Sequence, residues 1–527
     1  MSISADQVKN WAGRRVAVAG LGISGQAVVA ALRPLGADLL LVEDAPTGKP
    51  SPAVSHPELG DVLPPSAVAV DQLDLLIVSP GWAPHHPLLL AARQAAVPVW
   101  SEVELAWRLR AREDAPWLAV TGTNGKTTVV QMLASILAAA SRRVVTAGNV
   151  GNPLVTAVLD PEIEVFAVEL SSFQLQHTYS MQPLAAALLN VAPDHLDWHG
   201  SLEDYAAAKG RIFQGVTAAT GPTEAPPGSR GAVLFGTTDP IAQKLAATAL
   251  PGVVRAGFTL AVPLAGQLGL VGSSLVDRAF YQRRQRHGQV IASLEDLSHL
   301  AGPGGRPTPH VVANALAAAG LALAYGVEPS DIGQGLRNFH HQPHRLAHVV
   351  THGEVRYVDD SKATNAHAAA AALAAFPPRS VVWIAGGLAK GARFESLVQT
   401  QADRLKAAVL IGIDRTELRQ ALAAHAPTVP VIEVEPGPQV MLRAVQTAQT
   451  LAQPGDVVLL APASASMDQF QSYAERGQAF AQAAQALSTQ TASATEPLAT
   501  PRAGETPAQT SKLQNQNGLA VAGRGEP

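Results

Sequence analysis

The stretch Val120-Thr-Gly-Thr-Asn-Gly-Lys-Thr-Thr128 puts two glycines, a lysine and hydroxyl residues between an apolar run and a helical stretch. In such a turn the backbone N–H groups of Gly122, Thr123, Asn124 and Gly125 can cradle phosphate oxygens, helped by the positive end of the following helix. Lys126 would neutralise phosphate charge, and the Thr127 hydroxyl would reach Mg²⁺. The usual phosphate loop opens on glycine where this chain has Val120, so the loop is a variant. Glu169, in Glu169-Leu-Ser-Ser-Phe-Gln174, ends an apolar run at the same sheet edge. A carboxylate there suits Mg²⁺, which takes one or two carboxylates beside phosphate and water oxygens. His195, flanked by Asp194 and Asp197, reads as a metal ligand, a group that orients a carboxylate, or simply a polar surface residue. Lys209, in Tyr205-Ala-Ala-Ala-Lys-Gly-Arg211, reads on its own as an ordinary helical lysine.

Two further groups carry chemistry. Gly20-Leu-Gly-Ile-Ser-Gly25, followed by Glu43 and Asp44, fits the dinucleotide fingerprint. Its glycines serve a nicotinamide dinucleotide or any other nucleotide pyrophosphate equally well, and a purely structural turn would also use them. Downstream, His344-Arg345, Asp359-Asp-Ser-Lys-Ala-Thr-Asn365, Gly386-Gly-Leu-Ala-Lys-Gly391 and Ala461-Pro-Ala-Ser-Ala-Ser-Met-Asp-Gln-Phe470 gather cations and hydroxyls at strand exits. Together they build a surface for anions.

These residues need strand ends to hold them. Apolar runs at Arg14–Ala19, Asp38–Val42 and Leu73–Val78, with a helix over Gln26–Leu35, predict a first parallel α/β unit. A charged helix over Leu105–Ala115 leads into the strand from Trp117. Strands at Val144–Thr146, Val165–Val168 and Leu184–Asn190 and an Ala-rich helix at His310–Tyr325 predict a second unit. The pattern from Val233 to Leu294 is mixed and places no element. Gly221–Ser229 and Ala301–Arg306 read as surface loops. Runs at Val355–Val358, Ser380–Ile384, Ala407–Ile411, Pro430–Val434 and Asp456–Leu460, with a helix after Asn365, predict a third. From Ser488 the chain has too few large apolar residues to offset its ordering entropy and reads as a disordered tail. The expected fold class is therefore α/β in three units, spanning 1–112, 113–341 and 342–487, with the tail at 488–527.

Composition narrows the class. At 527 residues the chain has room for about three to four domains of roughly 150 residues. It has no cysteine, which excludes disulfides, zinc knuckles and thiol catalysis. With 38 basic and 42 acidic residues it lacks the basic excess of a general nucleic-acid binder. No apolar run approaches the roughly 20 residues of a membrane span. The N-terminal residues lack an apolar signal core. The expectation is a cytoplasmic protein with no nucleic-acid or membrane partner.

The ordered set Thr121–Thr128, Glu169–Leu175, Asn190–Asp197, His344-Arg345, Asp360–Asn365 and Pro462–Phe470 resembles the Mur ligase family, over about Val16 to Leu487. The Asp-Ser-Lys-Ala-Thr-Asn and Ser-Met-Asp-Gln-Phe stretches look most like the members that add D-glutamate. The resemblance implies a Rossmann-like domain for a UDP-sugar, a central P-loop-type ATPase domain and a C-terminal Rossmann-like domain for the incoming amino acid. It also implies a reaction: ATP-dependent amide formation between UDP-N-acetylmuramoyl-L-alanine and D-glutamate, through an acyl phosphate, by a monomer.

Residue roles follow from the resemblance. Gly22, Ser24, Glu43 (or equally Asp44), Ser79 and Asn149 would contact the UDP-substrate. Gly122 to Thr128, Asn314, Arg345 and Asp360 would hold ATP. Thr127 and Glu169 would bind one Mg²⁺, and His195 and a carbamylated Lys209 a second. Lys126, His195, Lys209 and Lys362 would be catalytic. Thr364, Lys390, Ser466 and Tyr473 would hold D-glutamate. The chain departs from the family pattern at Ala347, where glutamate is usual, at Leu388 and at Tyr473. Three rivals remain: a folylpolyglutamate synthase-like ligase, an NAD(P)-dependent oxidoreductase with a P-loop domain, and an inactive scaffold of cell-wall synthesis. The N-terminal fingerprint speaks against the first, and the intact Lys126, Glu169, His195 and Lys209 against the last.

Overall fold

The structure is a computed structural model that describes residues 11–44, 54–56, 60–111, 115–218, 229–301, 306–340, 344–389 and 392–492. Three sheets follow one another along the chain. The first holds β1 (Arg15–Ala19), β2 (Asp38–Val42), β3 (Val54–His56), β4 (Gly60–Leu63), β5 (Leu75–Val78) and β6 (Val99–Ser101), in the order β3-β4-β2-β1-β5-β6. All pairs but β3/β4 are parallel. The second holds β7 (Trp117–Thr121), β8 (Val144–Gly148), β9 (Val165–Glu169), β10 (Ala185–Leu188), β11 (Ala232–Gly236), β12 (Val254–Phe258), β13 (Gln267–Val271), β14 (Ser274–Asp277) and β15 (Gln289–Ser293), in the order β15-β14-β13-β12-β11-β10-β7-β9-β8. The third holds β16 (Ala347–His352), β17 (Val355–Asp359), β18 (Val381–Gly386), β19 (Leu405–Ile411), β20 (Val431–Glu433) and β21 (Val457–Leu460), in the order β16-β17-β21-β18-β19-β20.

The central strands β7, β9 and β10 are buried along their whole length, as continuous apolar runs in a doubly covered parallel sheet should be. Helices α1 (Ile23–Leu32), α2 (Lys126–Ala139), α3 (Ser172–Gln176), α4 (Leu202–Gly210), α5 (Pro309–Tyr325), α6 (Pro329–Asn338), α7 (Ala366–Leu373) and α8 (Tyr473–Ala492) carry or back the sequence motifs. One apolar core runs without a break from the first unit (Val16, Leu75, Leu105) into the second (Trp117, Leu154, Phe166). The cores of the third sheet draw their buried residues only from Val355 onward.

Where the sequence pattern and the fold differ, the cause is local. The helix expected over Leu105–Ala115 spans Glu102–Leu109 instead, because the Ser101 hydroxyl accepts from the Glu104 N–H at 3.2 Å and starts it early. The helix over Gln26–Leu35 begins at Ile23 and ends as a 3₁₀ turn, Arg33–Leu35, around Pro34. The unreadable span 233–294 holds β11 to β15. Its most apolar stretch, Leu260 to Leu264, is an exposed loop, and β13 and β15 bury only their middles. The loops expected at Gly221–Ser229 and Ala301–Arg306 fall mostly outside the described residues. The tail expected from Ser488 overlaps the end of α8, which runs to Ala492, and 493–527 lie outside the described residues.

The phosphate-loop helix α2 is fixed from behind by α6. Gly335 lies so close that an added Cβ would stand 2.3 Å from Ile136 Cα, and the Ser135 hydroxyl donates to Gly335 O at 2.7 Å. Backbone cannot yield as a flexible side chain can. Gly335→Ala should therefore destabilise the protein by about 2 kcal/mol or more, read as a lowered denaturation midpoint; an unchanged midpoint would contradict this packing.

Candidate active site

The loop after β7 is shaped by glycine where no other residue fits. Gly125 has φ +86°, and a Cβ there would lie 2.6 Å from Asn314 Oδ1, so Asn314 of α5 sits directly against the loop. Asn190, just past β10, braces it from the side. Its carbonyl accepts from the Thr123 N–H at 2.9 Å and its Oδ1 from the Asn124 N–H at 2.9 Å. The Thr123 hydroxyl meets Tyr205 Oη at 3.0 Å. Two loop amides are thus already spent on Asn190, and the start of α2 follows immediately.

Two lysines converge on one oxygen. Lys126 Nζ donates to Gly122 O at 2.8 Å and to Thr123 O at 3.0 Å, while Lys209 Nζ, only 2% exposed, donates to the same Gly122 O at 2.9 Å. Burial, and then the Lys126 charge, push the Lys209 amine well below the ordinary lysine range, while Asp194 and Glu169 partly oppose this. Burial lowers Lys126 as well, against the attraction of Glu169 and Asp194. Arg345 and Lys362, from the third unit, add positive charge to the same space. Lys362 falls to about 8, through burial first and Arg345 second.

Glu169 is buried at the end of β9. Its Oε1 accepts from Asn149 Nδ2 at 2.8 Å, and its Oε2 is buried with no hydrogen-bond partner. A buried carboxylate oxygen without a partner is costly unless something cationic completes it. With the buried Thr127 opening α2, this donor set fits Mg²⁺. Among the described residues no cluster of three or more His, Asp or Glu forms a cage of its own. His195 takes the left-handed conformation (φ +53°), packs on Phe173 at 4.7 Å between ring centres, and lies 3.6 Å from Asp194.

The third unit reaches this space through its own strand exits. Asn365 caps α7 by accepting from the Ala368 N–H at 2.9 Å, and its Nδ2 touches Asn124 Oδ1 and Asp194 Oδ2, both at 3.4 Å. Asn124 Nδ2 also donates to His367 Nδ1 at 2.7 Å. Arg345 Nε is buried without a partner, and the guanidinium faces Asp360 and Glu169. Burial raises Asp360 to about 7 even with Arg345 near. Lys362 Nζ stands 4.9 Å over the Tyr473 ring, Thr364 lies in the same turn, and Ser466 is buried at the exit of β21. Lys390 lies outside the described residues. Ala347 opens β16 and Leu388 is exposed, bridging to Ala465.

The first unit supplies a separate edge. Glu43 Oε2 accepts from the Leu21 N–H at 2.6 Å, and Ser79 Oγ donates to Gly20 O at 2.7 Å. Gly22 precedes α1 and Ser24 lies in its first turn. Ser24 and Ser79 line a cavity of about 10 Å³ between the first two sheets, together with Glu102, Gln174, His177 and Trp198. Glu102 Oε2, both His177 ring nitrogens and Trp198 Nε1 are buried without partners. Sequence reading missed Glu102, His177 and Trp198, as it missed the bracing roles of Asn190 and Tyr205. Only the Asn190 stretch carried a readable signal, its place after an apolar strand.

Residues 120–223 match the model of the Mur ligase middle domain, and residues 344–464 that of the Mur ligase glutamate ligase domain. The chain is 49% identical over 493 residues to the UDP-N-acetylmuramoylalanine–D-glutamate ligase of Streptomyces coelicolor, covering 90% of this chain and 99% of the relative. It is 49% identical over 485 residues to the ligase of the same name from Thermobifida fusca, with 90% and 99% covered. Among solved structures, MurF from Acinetobacter baumannii superposes with a TM-score of 0.54 at 17% identity, over 92% of this chain and 98% of that one. At that identity it shows the shared fold alone.

The cavity between the first two sheets has a measurable signature. Burial raises Glu102 to about 7, outweighing the N–H groups of Val155 and Leu154 that donate to it. The folded state thus keeps a proton that the unfolded chain loses near its ordinary carboxylate pKa, and stability falls as pH rises through that window to about 7. Glu102→Gln should gain in denaturation midpoint relative to the parent as pH rises from 5 to 8. A midpoint difference that is flat across this range would contradict it.

Proposed function

The chain belongs to the Mur ligase family, and we propose that it is a D-glutamate-adding ligase of cytoplasmic peptidoglycan precursor synthesis. It would join the carboxyl of UDP-N-acetylmuramoyl-L-alanine to the amine of D-glutamate at the expense of ATP. The observation that carries this reading is the crowding of Lys126, Lys209, Arg345 and Lys362 around a glycine loop, beside a buried Glu169 oxygen that lacks a partner. Such a set of mutually repelling cations is relieved by a polyphosphate with its divalent ions.

A carboxylate is a poor electrophile. Transfer of the γ-phosphoryl group to its oxygen neutralises it and installs a leaving group, and ADP departs. The amine then attacks the acyl carbon, loses a proton, and phosphate leaves. In this scheme the first unit holds the UDP moiety through Gly22, Ser24, Glu43 and Ser79, and Asn149 reaches the muramoyl part. The second unit holds ATP on Gly122 to Thr128 with Asn314, while Arg345 and Asp360 close over it from the third. Lys126 and Lys362 stabilise the charge that develops during transfer. Mg²⁺, held by Thr127 and Glu169 with a second ion at His195 and modified Lys209, would neutralise phosphate charge. Thr364, Lys390, Ser466 and Tyr473 position D-glutamate, with Lys390 pairing one carboxylate. We place the protein in the cytoplasm as a monomer; none of the described helices is long and apolar enough to cross a membrane.

Lys209 has a specific part. Its amine is buried, shares an acceptor with Lys126 and is held well below the ordinary range. A neutral amine adds CO₂, releasing one proton and leaving a carbamate. The step replaces a repelled cation with an anion that offers oxygen ligands.

ADP release in the presence of UDP-N-acetylmuramoyl-L-alanine should respond to D-glutamate and not to L-glutamate, L-lysine or meso-diaminopimelate. Stimulation by L-lysine or diaminopimelate instead would place the chain with another member of the family. Lys126→Ala should lower turnover about 10³-fold. Lys209→Ala should lose activity and recover part of it with acetate or formate. The parent incubated with ¹³C-bicarbonate should show a carbamate carbon signal that the variant lacks; an unimpaired variant or a missing signal would refute the modification.

A further inference from the structure

Arg476, in the first turns of α8, is 1% exposed, yet no role in the scheme above falls to it. Its guanidinium spans two loops. Nε donates to Ser361 Oγ at 3.0 Å, Nη2 to Ser361 O at 2.9 Å, and Nη1 to Ser464 O at 3.1 Å. Ser361 precedes Lys362 and lies three residues before Thr364; Ser464 lies two residues before Ser466. The Ser361 hydroxyl passes its own proton to Tyr473 O at 2.8 Å, so the start of α8 is tied to the same point.

The neighbouring residue completes the arrangement. A Cβ on Gly477 would stand 2.2 Å from His344 Nδ1 and 2.7 Å from Asp359 Oδ2, so only glycine leaves room for the His344–Asp359 contact of 2.6 Å. Asp359 Oδ1 in turn accepts from the Ser361 N–H at 2.9 Å. On the far side, a Cβ on Gly387 would meet Ala465 O at 2.3 Å and Arg476 Nη1 at 3.2 Å. Three strand exits, after β17, β18 and β21, therefore meet on one side chain.

Burying a guanidinium costs desolvation energy that three bonds to neutral oxygens, with the attraction of Asp468 and Asp359, only partly repay. The fork geometry supplies what an apolar side chain cannot: donors at fixed angles to acceptors on separate loops. We propose that Arg476 is a positioning residue that sets the spacing between Lys362 and Thr364 on one loop and Ser466 on the other. It thereby tunes the D-glutamate subsite rather than the nucleotide sites. The inference rests on the proposed role of those residues.

Steady-state kinetics on Arg476→Lys, Arg476→Met and Ser361→Ala, each varied in all three substrates, test it. Arg476→Met should raise the KM for D-glutamate and lower kcat, each about 10- to 100-fold, with the KM for ATP and for the UDP-substrate within about 2-fold of the parent. Arg476→Lys should fall between, and Ser361→Ala should move the same parameter less. A loss of kcat that tracks the folded fraction, with the KM for D-glutamate unchanged, would assign Arg476 to stability alone and overturn the proposal. If Arg476→Met does not fold, the Ser361→Ala profile decides by the same criterion. Parent turnover that ignores D-glutamate would instead overturn the functional reading, and the proposal with it.

Discussion

Two amines sharing the carbonyl oxygen of Gly122 set the terms for the rest of this molecule. Lys126 and Lys209 both donate to it, inside a space where burial already disfavours charge. Such an arrangement is stable only if one amine gives up its proton or its identity, or if anions enter. Everything around the loop answers that demand: a carboxylate with an open oxygen at the end of β9, the N-terminus of α2, and a nearby Asp194. The site is built as an incomplete electrostatic unit, and the substrates complete it.

Holding that unit open requires a rigid surround. The continuous burial of β7, β9 and β10 fixes the strand ends, and Asn190 and Asn314 press on the loop from two sides. Catalysis of this kind depends on placement and charge more than on any covalent role for the protein, so tenths of an ångström matter. The glycines at 125 and 335 serve that placement by letting the chain approach its neighbours where a methyl group would not fit.

Much of this was legible before any coordinates. The phosphate-loop stretch, Glu169 at a strand exit and the three α/β units follow from apolar runs and glycine spacing, which local physics ties to strand–turn–helix geometry. Lys209 was not legible from spacing. A lysine in an Ala-rich helix looks solvated, and only the family resemblance or the burial of its amine says otherwise. Glu102, His177 and Trp198 were invisible for a different reason: they come from separate stretches and meet only when the first two sheets pack. The span 233–294 was unreadable because β13 and β15 bury only their middles and leucines also stand in its exposed loop. Arg476 continues the buried face that Phe480, Ala483, Ala484 and Leu487 form on α8, where a charge is out of pattern, and its meaning lies in two loops, one of them 115 residues earlier in the chain.

The seams between the units are of unequal character. The first two sheets are welded by shared hydrocarbon, from Val16 through Trp117 to Phe166, and can part only by wetting it. The third meets the second through polar contacts, Asn365 at 3.4 Å from Asn124 and Asp194 and His367 at 2.7 Å from Asn124, and its buried cores are entirely its own. Undocking it there trades polar contacts for hydrogen bonds to water, a smaller cost than wetting apolar surface. A hinge of this kind lets the third unit swing aside while the glycine loop keeps its shape.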